Sequence, residues 1–269
     1  MRRLSFASIG FAIPLLTIAS LRYLGATPIK APTDADANPR TPVVVELFTS
    51  EGCSSCPPAD ALLERLDRSQ PVGAAELIVL SEHVDYWNDI GWKDPYSSHE
   101  YSERQSEYAK RFGLPSVYTP QMVVDGRIEF SGGDARRAIQ AIENSTKVEK
   151  TPVALSSVHL EGDHTIAVHI EAGPLLPPSA KLADVLIATV DDSDESHVSR
   201  GENAGRTLRH VAVLRDLMQV GTVGRSAKFS RDLKINLKNA NPRNLRIVAI
   251  VQEMTAGRIW GAGAARLSN

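Results

Sequence analysis

The chain holds two cysteines, and they stand as Cys53-Ser-Ser-Cys56. Before them runs Val43-Val-Val-Glu-Leu-Phe48, apolar and β-branched, which reads as a buried strand. After them Leu62, Leu63 and Leu66 fall on one face of a helix. Pro57 and Pro58 suit a first helical turn, whose N–H groups have no partner within the helix. The pattern therefore puts the pair where a strand hands over to a helix N-terminus.

That position points to redox chemistry. A helix N-terminus carries partial positive charge and free N–H donors, which favour a thiolate over a thiol. The thiolate is the attacking species in disulfide exchange. Cys53, nearer the open turn, reads as the nucleophile, and Cys56, one turn inward, as the resolving thiol. Three other readings use the same residues. A structural disulfide would close a very short loop and constrain the unfolded chain little. A structural zinc site wants four ligands, and the chain has no second cysteine pair. Copper(I) handling would use Cys53 and Cys56, with His83 as a third ligand.

At 269 residues and a formal net charge of -2, the chain has no basic excess of the kind nucleic-acid binding needs. Its N-terminus reads as an export signal. Arg2 and Arg3 precede an apolar segment from Leu4 to Ile18, short for a membrane span but suited to a signal core. Residues 1–26 are assigned to a signal peptide or an uncleaved anchor, and 27–40 to a Pro-, Ala- and Asp-rich linker. The expected location is periplasmic or secreted, an oxidising setting in which a thiol couple needs a partner to set its state.

Glu76-Leu-Ile-Val-Leu-Ser81 reads as a second buried strand. It runs into a loop rich in ionisable and aromatic residues, including His83, Asp85, Trp87 and Trp92. Loops that follow parallel strands gather at one sheet edge, so this loop and the cysteine turn are expected to meet. His83 is then a candidate proton acceptor, with Asp85 orienting it. Ser97-Ser-His-Glu100 is a capping box opening a helix to about Phe112, with Gly113 as the stop. Asp125-Gly126 between two apolar runs signals a hairpin, and a further helix follows from about Asp134.

In these motifs the chain resembles the thioredoxin-like superfamily. The resemblance rests on C-x-x-C at a strand-to-helix turn, Thr119-Pro120 before a hairpin strand, and the order of elements. It implies a cis Pro120 facing the cysteines and a substrate groove shaped by Thr119 and Pro120. Trp87 and Trp92 read equally as lining that groove or as core packing. The resemblance also implies a buried acid in the first strand acting as a proton relay, a role that falls to Glu46, one position out of step with the usual spacing. No tryptophan precedes Cys53, so a redox potential does not carry over. More narrowly, the chain resembles a family of exported bacterial proteins of unknown function, through residues 46–60, 83–87, 118–121 and 201–206.

From Thr151 the pattern turns to period-two segments over 153–160, 165–171, 183–190 and 245–253, which read as an antiparallel sandwich. The expected fold is α+β: a thioredoxin-like α/β domain over 41–150 and a β-rich, sandwich-like domain over 151–269. Arg200-Gly-Glu-Asn-Ala-Gly-Arg206-Thr-Leu-Arg-His210 reads as a structured loop that packs against the first part, with a carboxylate or phosphate site on its arginines and His210 as the alternative. The expected activity is thiol–disulfide exchange with protein thiols and a redox partner protein, without an organic cofactor. A metal-handling protein or a non-catalytic binding module are the alternatives.

Overall fold

The computed structural model describes residues 39–176, 181–237 and 240–267. The expected signal or anchor, and the linker up to residue 38, lie outside the described residues.

The elements around the cysteines follow the expected order. They are β1 (Thr41–Thr49), α1 (Pro57–Ser69), β2 (Ala75–His83), α2 (His99–Phe112), β3 (Gln121–Val124), β4 (Ile128–Ser131) and α3 (Ala135–Ser145). β1 and β2 pair in parallel, with Thr49 opposite His83, and β3 lies antiparallel to β1. Both parallel strands are buried on both faces, which explains their near-continuous apolar runs. The cap of α2 is Ser98, whose side chain accepts the Glu100 N–H, one residue later than the capping box suggests. The β3–β4 turn needs positive φ at Asp125 (52°) and Gly126 (59°), which is why Asp-Gly stands there. The Thr119–Pro120 peptide is cis.

Seven strands follow: β5 (Val153–Glu161), β6 (Thr165–Ala172), β7 (Leu182–His197), β8 (Thr207–Gly224), β9 (Phe229–Asn236), β10 (Leu245–Gln252) and β11 (Ile259–Arg266). Here the expected fold class is corrected. The protein is mostly β, with eleven strands and three α-helices among the described residues. β8 joins the edge of β2 through Ser81 and Val213, and the sheet continues as β11-β10-β7-β8-β2-β1-β3-β4. The cysteine half is therefore not a self-contained thioredoxin-like α/β core. Four of its strands share one mixed eight-stranded sheet with four strands from the second half.

A second sheet, ordered β5-β6-β9, packs on the far half of the large one. Alternation along β10 shows how. Ile247, Ala249 and Val251 meet side chains of the small sheet, while Val248 and Ile250 join the main core with Leu63 and Leu66 of α1. The period-two patterns of the second half thus serve two stacked layers, but one of those layers belongs to the sheet that carries the cysteines.

Candidate functional site

Cys53 and Cys56 form a disulfide, with Cα atoms 5.5 Å apart. β1 ends at Thr49, the turn 50–55 follows, and Cys56 is the N-cap residue of α1 with Pro57 in the first turn. The turn is tied by the Cys53 N–H to the Ser50 carbonyl and the Cys56 N–H to the Cys53 carbonyl. Both cysteines are fully buried, whereas Ser54 and Ser55 between them are exposed.

Two loops bury them. Trp87 lies against Gly52, where an added Cβ would meet the Trp87 Cβ at 3.0 Å. The Trp87 indole N–H donates to Thr119 Oγ1 at 2.8 Å, so one side chain links the cysteine turn to the cis-proline segment. Beside it Gly132 sits where a Cβ would meet Leu47, Pro120 and Ala59. From the other side comes the 200–206 loop. Asn203 is buried, and its Nδ2 donates to the carbonyls of Glu51 and Cys53. Arg206 donates to Asn203 Oδ1, fixing the orientation of the amide, and Glu202 accepts the Ser54 N–H at 3.0 Å.

Behind the disulfide is a buried ionisable cluster. Asp60 lies one turn along α1 from Cys56, and Thr49 Oγ1 donates to it at 2.8 Å. His83, at the end of β2, binds the Asp94 carboxylate through Nδ1 at 2.8 Å. His210 of β8 binds Glu51 Oε1 through Nε2 at 3.1 Å. The two imidazoles meet edge to face with centroids 4.6 Å apart. Glu51 is also held by the Trp92 indole and by the hydroxyl of Ser196, and Asp94 accepts the Glu51 N–H. Burial pushes the Asp60 carboxyl up, against the pull of His210 and His83. Burial alone would lower His83, but the Asp94 carboxylate outweighs it and His83 is raised. For Asp94 burial works upward, and the His83 imidazolium brings it net below the usual range.

The structure brings Cys53, Cys56, Thr119, Pro120, Trp87 and His83 to one sheet edge. It does not bring Glu46 there. Leu47 and Thr49 face α1, so Glu46, on the alternate side of the strand, faces α2. There its Oε2 accepts from Tyr108 at 2.7 Å and its Oε1 from Arg104 Nε at 2.9 Å. It is part of an ion cluster with Glu82, not a neighbour of the cysteines. Asp85 is likewise not the partner of His83. It accepts from Ser102 and pairs with His99, and Asp94 takes the expected role.

Asp60, Asp94 and Glu51 have no site role in the sequence pattern, whereas Asn203 and His210 lie in the 200–210 stretch expected to pack against the first part or to hold an anion. Asp60 carried a signal, being four residues after Cys56 on a helix and hence on its face. His210 and Asn203 come from residues some 150 positions away, and only the β2–β8 pairing brings them in. Among the described residues no group of three or more His, Cys, Asp or Glu side chains is arranged to hold a metal ion.

A model of the family described as "Protein of unknown function (DUF1223)" matches residues 44–252. A crystal structure of an Agrobacterium tumefaciens protein from a structural genomics consortium superposes with a TM-score of 0.67 at 29% identity, covering 87% of this chain and 97% of that one. HBP35 of Porphyromonas gingivalis superposes with a TM-score of 0.60 at 16% identity, covering 85% of this chain and 76% of that chain, a likeness of fold alone. No curated protein matches the chain.

Proposed function

We propose that this chain, which belongs to the DUF1223 family of proteins of unknown function, is an exported protein that carries out thiol–disulfide exchange at Cys53–Cys56. The observation that carries the reading is the disulfide at the N-terminus of α1, backed by buried Asp60, His83 and His210. A helix N-terminus favours negative charge on a sulfur released there. A disulfide with only two residues between its cysteines adds little by constraining the unfolded chain, so stability alone gives weak reason for it.

Cys53 takes the attacked position, since it lies nearest the open side of the turn and Cys56 is committed to the helix cap. Thr119 and cis Pro120, linked to the turn through Trp87, form the wall of the site. Both cysteines are buried, so exchange requires part of their cover to move, and the 200–206 loop is the segment assigned to lift. The loop holds the turn by three hydrogen bonds, and each contributes only about 1 kcal/mol net, so lifting is a modest local opening. The partners this reading calls for are protein thiols or disulfides and a second redox protein. Export rests on Arg2, Arg3 and the apolar stretch after them.

The test is a trapped intermediate. Reduced Cys56→Ser protein mixed with oxidised glutathione should hold a stable mixed disulfide on Cys53, seen as one added glutathione by mass, while the reduced natural protein should release it and close its own disulfide. No adduct, or an equally stable adduct on the natural protein, would contradict exchange.

A further inference from the structure

The two cysteines are covered on their own side, yet opening a disulfide inside a protein calls for a proton. This inference rests on the exchange reading above. An external thiolate that attacks Cys53 Sγ forms a new S–S bond and breaks the Cys53–Cys56 bond. The electron pair of the broken bond leaves on Cys56 Sγ, which becomes a neutral thiol once a proton reaches it; closure reverses each step. We propose that this proton passes through the interior, between an acidic surface pocket and Cys56, by way of His210, His83 and Asp60.

The inner end of the route is on α1. The Asp60 N–H donates to the Cys56 carbonyl, placing the carboxyl on the same helix face one turn on. Burial raises Asp60, so it is suited to hold a proton that a buried sulfur can take. Next come the two imidazoles. Each has one nitrogen held by a carboxylate, and the other, His83 Nε2 and His210 Nδ1, is buried without a partner. Unpaired buried polar atoms are uncommon in folded proteins and mark places with a functional reason to keep them. Glu51, Asp94 and Tyr96 are the other titratable groups facing this pair.

The outer end is a surface pocket of about 420 Å³ that His210 itself lines, together with Glu64 and Arg68 of α1 and Asp194, Glu195 and Arg209. Arg209 pairs with Glu195 at 2.8 Å. Asp194 keeps one buried carboxylate oxygen without a partner. Its neighbour Asp191, 3.5 Å from Arg215, is pushed up to about 7 by burial and then by the charge of Asp194. Asp191, beside the pocket, thus exchanges a proton near neutral pH, the property a relay to solvent needs.

The test uses the full chain and dithiothreitol as the reductant, following opening of the disulfide at pH 7. His210→Ala should slow reduction about a hundredfold, the lower range for loss of an acid–base group. Added imidazole, which replaces the lost ring in the enlarged pocket, should restore much of the rate, and a merely structural loss would not respond to it. Asp194→Asn, at a half-buried position, should also slow reduction and decides the matter if His210→Ala does not fold. A His210→Ala protein that reduces at the natural rate, or that stays slow in imidazole, overturns the route. A natural disulfide that opens only on unfolding overturns the exchange reading and the route with it.

Discussion

The side-chain amide of Asn203 donates to the carbonyl oxygen of Cys53 at 3.0 Å, across 150 positions of sequence. The same nitrogen donates to Glu51 O at 2.8 Å, and Arg206 holds the other end of the amide. This one side chain fastens the loop to the cysteine turn. Asn203→Ala takes its donor from the Glu51 carbonyl and one of two donors from the Cys53 carbonyl, and should cost about 1–3 kcal/mol of stability. It should also speed labelling of Cys53 in the reduced protein. A thermal melt and a thiol-labelling time course read the two effects, and unchanged labelling would show that the loop does not control access.

Gly132 is a contact point rather than a flexible joint. A Cβ there would meet Leu47 Cδ1 at 2.7 Å, Pro120 Cβ at 3.0 Å and Ala59 Cβ at 3.2 Å. The leucine end can swing aside, but the proline and the helix alanine are fixed by the backbone. Gly132→Ala is expected to destabilise by about 1–3 kcal/mol through overpacking. Because the strain falls between Pro120 and α1, the rate of disulfide reduction should change as well. Chemical denaturation and reduction kinetics on the same sample check both.

Glu46 and Glu82 share one guanidinium, that of Arg104, in the space between β1, β2 and α2. Burial, more than its neighbours, raises Glu82 well above the usual carboxylate range. Neither of its oxygens has a hydrogen-bond partner. A carboxyl raised on folding binds its proton more tightly in the native state, so its contribution is full below its unfolded value, near 4.5, and is lost as pH rises through the folded value. Glu82→Gln removes that loss. It should stabilise the protein at pH 7 by on the order of 1 kcal/mol and flatten the pH profile, as read from melting temperatures across pH 4–8. A lower melting temperature at pH 7 would count against this account of the cluster.

His83 and Asp94 shift in opposite senses. His83 is raised, so its share of stability is present below its unfolded value near 6.5 and is lost as pH climbs through the folded value. Asp94 is lowered, so its share is present above its unfolded value near 3.8 and is lost as pH falls through the folded value. The pair stabilises most in the window between. His83→Gln should therefore cost most in mildly acidic solution, and the gap to the natural protein should narrow as pH rises through the folded value of His83. A gap that stays constant with pH would mean that His83 acts by packing alone.

Much of the local structure around the cysteines is legible in the sequence. The apolar run of β1, the prolines opening α1, the Asp-Gly turn and Thr119-Pro120 each act through their near neighbours. The sheet that joins the two halves is not. β8 carries Arg209, Arg215 and Asp216 and has a positive φ at Ala212, and its pairing with β7 slips at two bulges, so a period-two pattern cannot persist along it. With 211–217 undecided between strand and helix, the contact of β8 with β2 stayed hidden, and with it the pairing of His210 with Glu51 and of Asn203 with the Cys53 carbonyl. Glu46 misled for a simpler reason. Alternation along β1 sends it to the α2 face, and the acid beside Cys56 is instead on the helix, as Asp60.

The most direct measurement is the equilibrium of the Cys53–Cys56 disulfide with glutathione in the folded protein. An exchange protein should open and close reversibly while its fold signal holds, with a reduction potential in the range of roughly -120 to -270 mV spanned by such proteins. A couple below about -300 mV, or one that opens only as the protein unfolds, would make the disulfide a structural element and contradict the proposed activity.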